Sequence, residues 1–302
     1  MKSDRLLAVG GGLLVCAIWA SSFVIVKMAL AHIGPLALAG VRYFTAFLLL
    51  LPLMVRRGEL ASNPAPGHWW HLAAIGVCAY AIGNGTLYWG LQYLPATTGS
   101  FLLTLIPVGV LLLGILRLKE VPTGWQVVGL VVALGGGALF FSPGLGAGEL
   151  RAVVVVGAGL LAFAVFGVLG REVARTGQVA TLSLTAIPLG IGGGLALVVA
   201  LVVEGLPSVS LAGWAIVLWL AAVNTAAAYL LYNHSLRTLT ALEMNVILNL
   251  SPLGTAFLAA YLLDERVTAA QWVGIVVLIL GVCVVQWGGW RASKMKKVES
   301  YG

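Results

Sequence analysis

The sequence predicts an all-α polytopic membrane protein, with ten transmembrane helices arranged as two inverted five-helix repeats. Three observations predict this fold class. The 302-residue chain is 61% hydrophobic and only 9% charged, whereas a soluble domain carries about 25% charged residues. Apolar runs of about twenty residues, the length that crosses a bilayer, recur over almost the whole chain. Residues 91–136 also recur without a gap at 236–281, with 17 of the 46 paired positions identical. At that offset of 145 residues Pro107 falls on Pro252, Gly109 on Gly254, Glu120 on Glu265, Gln126 on Gln271, Gly129 on Gly274 and Gly136 on Gly281. Such self-similarity marks a repeated structural unit. Five crossings per unit are an odd number, so the second copy must be upside down.

The first span, 6–27, is too long for a signal-peptide core and has no small-residue cleavage site, so it is read as retained. Gly34-Pro35 opens the second span, 36–55, and Asn63-Pro64-Ala65-Pro66-Gly67 separates it from the third, 69–91. The fourth and fifth, 96–116 and 125–141, complete the first half, and Ser142-Pro143-Gly144 ends it. Spans 152–169, 182–203, 211–233, 241–263 and 270–288 form the second half, with Gly205-Leu206-Pro207 between the seventh and eighth. The domains are therefore 1–145, 146–290 and a basic tail, 291–302. No extramembrane segment is long enough to fold alone.

Lysine and arginine set the orientation, because cytoplasmic loops retain them. With the N-terminus inside, the cytoplasmic segments carry Lys2, Arg5, Arg56, Arg57, Arg117, Lys119, Arg171, Arg175, Arg237, Arg291, Lys294, Lys296 and Lys297. The outside keeps Lys27, Arg42, Arg151 and Arg266. Thirteen against four places both termini in the cytoplasm. The net charge of +7 is then a topology signal and requires no nucleic-acid partner. Trp69, Trp70, Trp125, Trp214, Trp272, Trp287 and Trp290 fall at span ends, as an aromatic belt at the lipid bilayer surface would. Cys16, Cys78 and Cys283 sit in apolar runs without metal spacing and read as small hydrophobes.

Polar side chains within lipid should face the protein interior or a water-filled cavity. The third span carries Tyr80, Asn84 and Tyr88 on one helical face; their counterparts in the eighth are Thr225, Tyr229 and Asn233. The fourth span sets Ser100 and Thr104 one turn apart before Pro107, and the ninth sets Asn245 and Asn249 before Pro252. Interhelical hydrogen bonding accounts for any one of these residues. Their recurrence on equivalent faces favours a lined pathway, since glue need not recur in both halves. Pro107 and Pro252 would loosen their helices and free backbone groups that a cavity or neighbour must satisfy.

Trp19 lies in the middle of the first span, and Lys27 follows eight residues later on roughly the same face. Lys27 either meets an anionic group of a solute or snorkels to the interface. Arg42, seven residues past Pro35, is deeper than an ordinary flank; it pairs with a backbone carbonyl or lines an outer vestibule. Glu243 either guards the inner mouth or sits at the interface. Gly129 and Gly136, like Gly274 and Gly281, stand seven apart on one face, where small residues allow close approach. The fifth and tenth spans therefore sit at the periphery, suited to a homodimer contact or to internal packing.

All ten acids and all four histidines lie in loops or near span ends. A proton relay normally plants such a group mid-membrane despite its cost. Uniport or weakly coupled exchange of a small-molecule solute is therefore expected. The chain has no Gly-rich phosphate loop or Walker Lys-Ser/Thr pair, so no ATP hydrolysis, metal or other cofactor is expected.

The run Trp19-Ala20-Ser21-Ser22-Phe23 with Lys27, the pair Arg42-Tyr43, and the two proline helices that end near acids (Pro107 to Glu120, Pro252 to Glu265) resemble the EamA branch of the drug/metabolite transporter superfamily. The resemblance covers nearly the whole chain. It implies a bacterial inner-membrane carrier for amino acids and other small amphipathic metabolites, often an exporter. It also implies a central cavity lined by helices 1, 3, 4, 6, 8 and 9. The sixth span, around 163–171, lacks the tryptophan and lysine of the first.

An inverted repeat of this kind is the architecture of secondary transporters, with the site near the midplane. The expected site comprises Trp19, Lys27, Tyr80, Asn84, Tyr88, Ser100, Thr104, Thr225, Tyr229, Asn233, Asn245 and Asn249, with Pro107 and Pro252 as hinges. Aromatic faces beside amides suit a small amphipathic organic solute, export of hydrophobic or aromatic amino acids being the preferred reading. The alternatives are a channel-like or lipid-moving protein, or a membrane enzyme. The last would need paired acids or a His-rich cluster facing one leaflet, and adjacent Asp264 and Glu265 point to different helix faces.

Overall fold

The computed structural model describes residues 2–59, 68–119, 121–140, 142, 147–207 and 209–299. Glu120, the 63–67 breaker, Pro143, Gly144, the 145/146 boundary and the last three residues of the tail lie outside them. All regular structure among the described residues is helical. In chain order the segments are α1 (Lys2–Ala29), α2 (Pro35–Arg56), α3 (Trp69–Leu91), α4 (Ala96–Arg117) and α5 (Gly124–Phe140). They continue with α6 (Ala147–Thr176), α7 (Thr181–Val203), α8 (Gly213–Ser235), α9 (Ala241–Leu262) and α10 (Ala269–Glu299).

Eight of these are long and apolar enough to cross a membrane, and the chain is a multi-pass membrane protein. The fifth expected span falls on α5 and the tenth within α10.

The chain marks its helix ends with side chains. Thr123 and Gln126 exchange side-chain and backbone hydrogen bonds at the start of α5, and Thr268 and Gln271 do the same at α10. Thr240 and Glu243 form a capping box at α9. Lys119 and Asp264 close α4 and α9 in the left-handed conformation, each at φ 55°. Glu59, beyond α2, accepts from the Ser183 amide (3.1 Å) and hydroxyl (2.6 Å) in the first turn of α7. Glu204, beyond α7, accepts from the Leu36 and Ala37 amides (3.0 and 2.9 Å) in the first turn of α2. Glu265 does likewise for Ala96 and Thr97 at α4. A carboxylate there satisfies orphan amides and complements the helix dipole.

The most extensive helix contacts are α5 with α10 and α2 with α7. Along the first seam, Gly129 faces the Gly281 carbonyl and Gly136 the Gly274 carbonyl, so the two backbones run in opposite directions. A Cβ on Gly136 would lie 2.5 Å from the Leu278 amide, a distance no side chain accommodates. These glycine faces are thus used within the chain. The second seam is just as close: a Cβ on Gly40 would meet the Leu197 backbone at 2.5 Å. α1 packs on α8 and α9, α6 packs on α3 and α4, and α2 also reaches α3 and α8. The space between these helices lies at the centre of the molecule.

A central cavity with one unpaired cation

The helices around the centre are irregular at equivalent places. α3 contains a π-helical stretch, Val77–Gly83, and α8 another, Ala222–Ala227, 145 residues on. A π turn accommodates an extra residue and leaves carbonyls out of the α register. Here side chains take up two of them: Asn84 Nδ2 donates to the Ala79 carbonyl (2.7 Å) and Thr225 Oγ1 to that of Leu220 (2.8 Å). α4 tightens to a 3₁₀ turn at Leu103–Leu105 and restarts with Pro107 in its first turn. α9 breaks at Asn249 and Leu250 and restarts with Pro252 in the same position. A 3₁₀ carbonyl at Thr104 would look to the amide of residue 107, which proline lacks; it accepts from Asn249 Nδ2 instead (3.2 Å).

The cavity these helices enclose holds about 850 Å³ of empty space, the open solvent at its mouth included. α1 contributes Trp19, Ser22 and Phe23; α2, Arg42 and Tyr43; α3, Asn84 and Tyr88; α4, Ser100. α6 contributes Phe163 and Phe166, α8 Tyr229 and Tyr232, and α9 Asn245 and Asn249. The aromatic side is continuous: the Trp19 ring lies 4.9 Å from that of Tyr229 and 5.6 Å from that of Tyr232, and Phe166 stacks on Tyr232 at 5.3 Å. Trp19 is held in place from behind. Its Nε1 donates to the Asn224 carbonyl (3.1 Å), and Asn224 Nδ2 donates to the Ile18 carbonyl and Ser21 hydroxyl. The Tyr232 hydroxyl is buried without a hydrogen-bond partner among the described residues.

Arg42 supplies the cavity's positive charge. It is 2% exposed, about 10 Å along α2 from Pro35. Its Nε donates to Thr225 Oγ1 (2.7 Å), one terminal nitrogen to the Tyr88 hydroxyl (2.5 Å) and the other to the Asn224 carbonyl (3.0 Å). The Tyr43 hydroxyl joins that of Tyr88 at 2.7 Å, and the guanidinium sits 5.2 Å from the Tyr43 ring centre. All of these partners are neutral. Among the described residues no carboxylate reaches Arg42. Placing arginine this deep costs at least about 2.5–3.5 kcal/mol, which neutral hydrogen bonds and ring faces offset only in part.

Of the residues expected from sequence, Trp19, Asn84, Tyr88, Ser100, Tyr229, Asn245 and Asn249 line this space. Five do not. Lys27 Nζ donates to the Leu94 carbonyl, tying α1 to the end of α3. Tyr80 lies behind the wall against Tyr43 and Tyr229, and Thr225 stands behind Arg42. Asn233 Nδ2 joins α8 to Thr185 of α7 (3.0 Å), and the Thr104 hydroxyl is buried without a partner among the described residues. Glu243 is buried, paired with Arg5 at 2.6 Å where α1 and α9 begin. Sequence reasoning expected helix 6 at the cavity but placed no site residue on it, named Tyr43 only in the Arg42-Tyr43 pair, and left Asn224 and Tyr232 unmarked. The depth of Arg42 was the one signal that could have promoted it.

The model of the EamA-like transporter family matches twice, over residues 6–142 and 150–287. An uncharacterized transporter of Archaeoglobus fulgidus is 27% identical over 93% of this chain and 96% of its own. The uncharacterized inner membrane transporter YedA of Escherichia coli K12 is 25% identical over 95% and 94%, and protein PecM of Dickeya dadantii 26% identical over 89% of each. One solved protein structure superposes with a TM-score of 0.76 over 97% of this chain and 99% of its own, at 15% identity. That likeness concerns the fold alone.

Proposed function

The chain belongs to the EamA-like transporter family, and on that premise we propose a secondary carrier that exports small amphipathic metabolites, amino acids above all, by alternating access. The observation that carries this reading is the central cavity, walled by helices of both halves and lined by aromatic rings together with the amides of Asn84, Asn245 and Asn249. The solute would sit there while two five-helix bundles rock about it, with the breaks at Pro107 and Pro252 as the places that flex.

Ten crossings in two inverted repeats, 1–145 and 146–290, belong to the same proposal. The family model's double match supports it, and so does the exchange of counterparts across the α5–α10 seam. Gly129 meets Gly281 and Gly136 meets Gly274, the pattern a two-fold axis in the membrane plane would produce. The basic residues favour both termini in the cytoplasm, and the E. coli relative favours the inner membrane. A homodimer through α5 and α10 would use their outward faces, where Val131 and Val276 are exposed. A carrier reading also fits the relatives better than an enzyme or a lipid-moving protein does.

The test is a thermal-shift screen of detergent-purified protein against amino acids, polyamines, nucleosides, sugars and cationic dyes. Counterflow in proteoliposomes follows for the hits. A carrier gains stability from its solute by mass action and shows saturable counterflow. Flux that never saturates, or movement of phospholipid headgroups, would replace this reading with a channel or a lipid-moving protein.

A further inference from the structure

The charge balance of the cavity narrows the solute class. We infer that the solute binds through a carboxylate paired with Arg42, its apolar or aromatic body lying among Trp19, Phe166, Tyr229 and Tyr232; the inference rests on the carrier reading above. A guanidinium has five N–H donors in a planar fork. Among the described residues three of these are engaged, all on neutral oxygens, and two remain. A carboxylate matches that fork with two parallel hydrogen bonds.

No lining residue is an acid. Five described carboxylates are occupied at helix ends, Glu59, Glu204 and Glu265 on first-turn amides, Glu243 with Arg5 and Glu172 with Arg117, and neither Asp4 nor Asp264 lines the cavity. The cavity therefore holds a formal charge of +1. A monocarboxylate brings it to zero, a zwitterion leaves it at +1, and an amine raises it to +2 in a space walled by aromatic rings. An amino group is tolerated against those rings but makes no ion pair. The recognised class is the organic carboxylate with an apolar body, whether or not it carries an amine.

Three probes with one ring separate the charges: 3-phenylpropionate, L-phenylalanine and phenethylamine, compared by binding to purified protein and by counterflow in proteoliposomes. The expected order is the propionate at least as tight as phenylalanine, with the amine at least about thirtyfold weaker. This order needs no variant, so it stands even where a variant fails to fold. Arg42→Gln should erase the preference among the three, and Arg42→Lys, which keeps the charge but loses the fork, should recover part of it. Phenethylamine binding as tightly as the propionate overturns the inference while leaving a carrier. Silence toward all three also overturns it, and saturable counterflow of a sugar, nucleoside, polyamine or dye then decides whether the carrier reading survives.

Discussion

Glu59 rests on the first turn of α7, and Glu204, its counterpart 145 residues on, rests on the first turn of α2. Arg42, by contrast, has Ile187 as its counterpart, Trp19 has Ala164, and Asn224 has Ala79. The same division runs through the molecule. The π turns of α3 and α8, the left-handed ends at Lys119 and Asp264, and the Thr–Gln caps of α5 and α10 all occur in pairs. Features that fix where helices start, stop, bend and touch are duplicated. The groups that give the cavity its charge and its indole are single. Under the proposed alternating access, a frame that is to work the same way in both directions must be built twice, whereas one solute needs only one binding surface.

The seams of the frame should be the least tolerant of change. Gly136→Leu places a side chain into the α10 backbone and should lower stability by about 3 kcal/mol, seen as loss of monodisperse protein and a lower melting temperature. Gly135→Leu, with open space around it, is the control. Next in size is a site change: Asn84→Ala with Tyr229→Ala should abolish counterflow while expression and monodispersity stay intact. Persisting transport would reduce the polar stripes to packing contacts. Pro107→Ala and Pro252→Ala should each slow turnover severalfold with little change in apparent affinity; weakened binding at unchanged turnover would place the prolines in the site instead of the frame. The smallest effect sharpens the comparison most. Glu59→Gln and Glu204→Gln should each cost about 1 kcal/mol, equally, in thermal melts. Unequal losses would break the equivalence of the two halves.

The helices, their order and the membrane class were legible in the sequence, because apolar length and turn residues are local signals. Four of the ten stripe residues lie off the cavity, three of them for one physical reason. Tyr80, Asn84 and Tyr88 share a face only on a regular α-helix, and the π turn at Val77–Gly83 swings Tyr80 behind the wall while Asn84 and Tyr88 stay on it. The turn at Ala222–Ala227 likewise leaves Tyr229 on the cavity, with Thr225 on Arg42 and Asn233 on α7. No residue type announces a π turn. Phe163 and Phe166 were hidden differently, since an aromatic in an apolar helix looks the same facing lipid or facing a cavity.

The uncompensated guanidinium of Arg42 has an electrical consequence. If the protein's own charge stays put while a carboxylate without an amine passes, every turnover moves one negative charge and the flux is a current, whereas a zwitterion moves none. An inside-negative voltage of 100 mV is worth about 2.3 kcal/mol per charge, enough to sustain roughly a fiftyfold outward gradient of a monoanion. Export of such a solute would draw its driving force from the resting voltage itself, with no ion to carry in return.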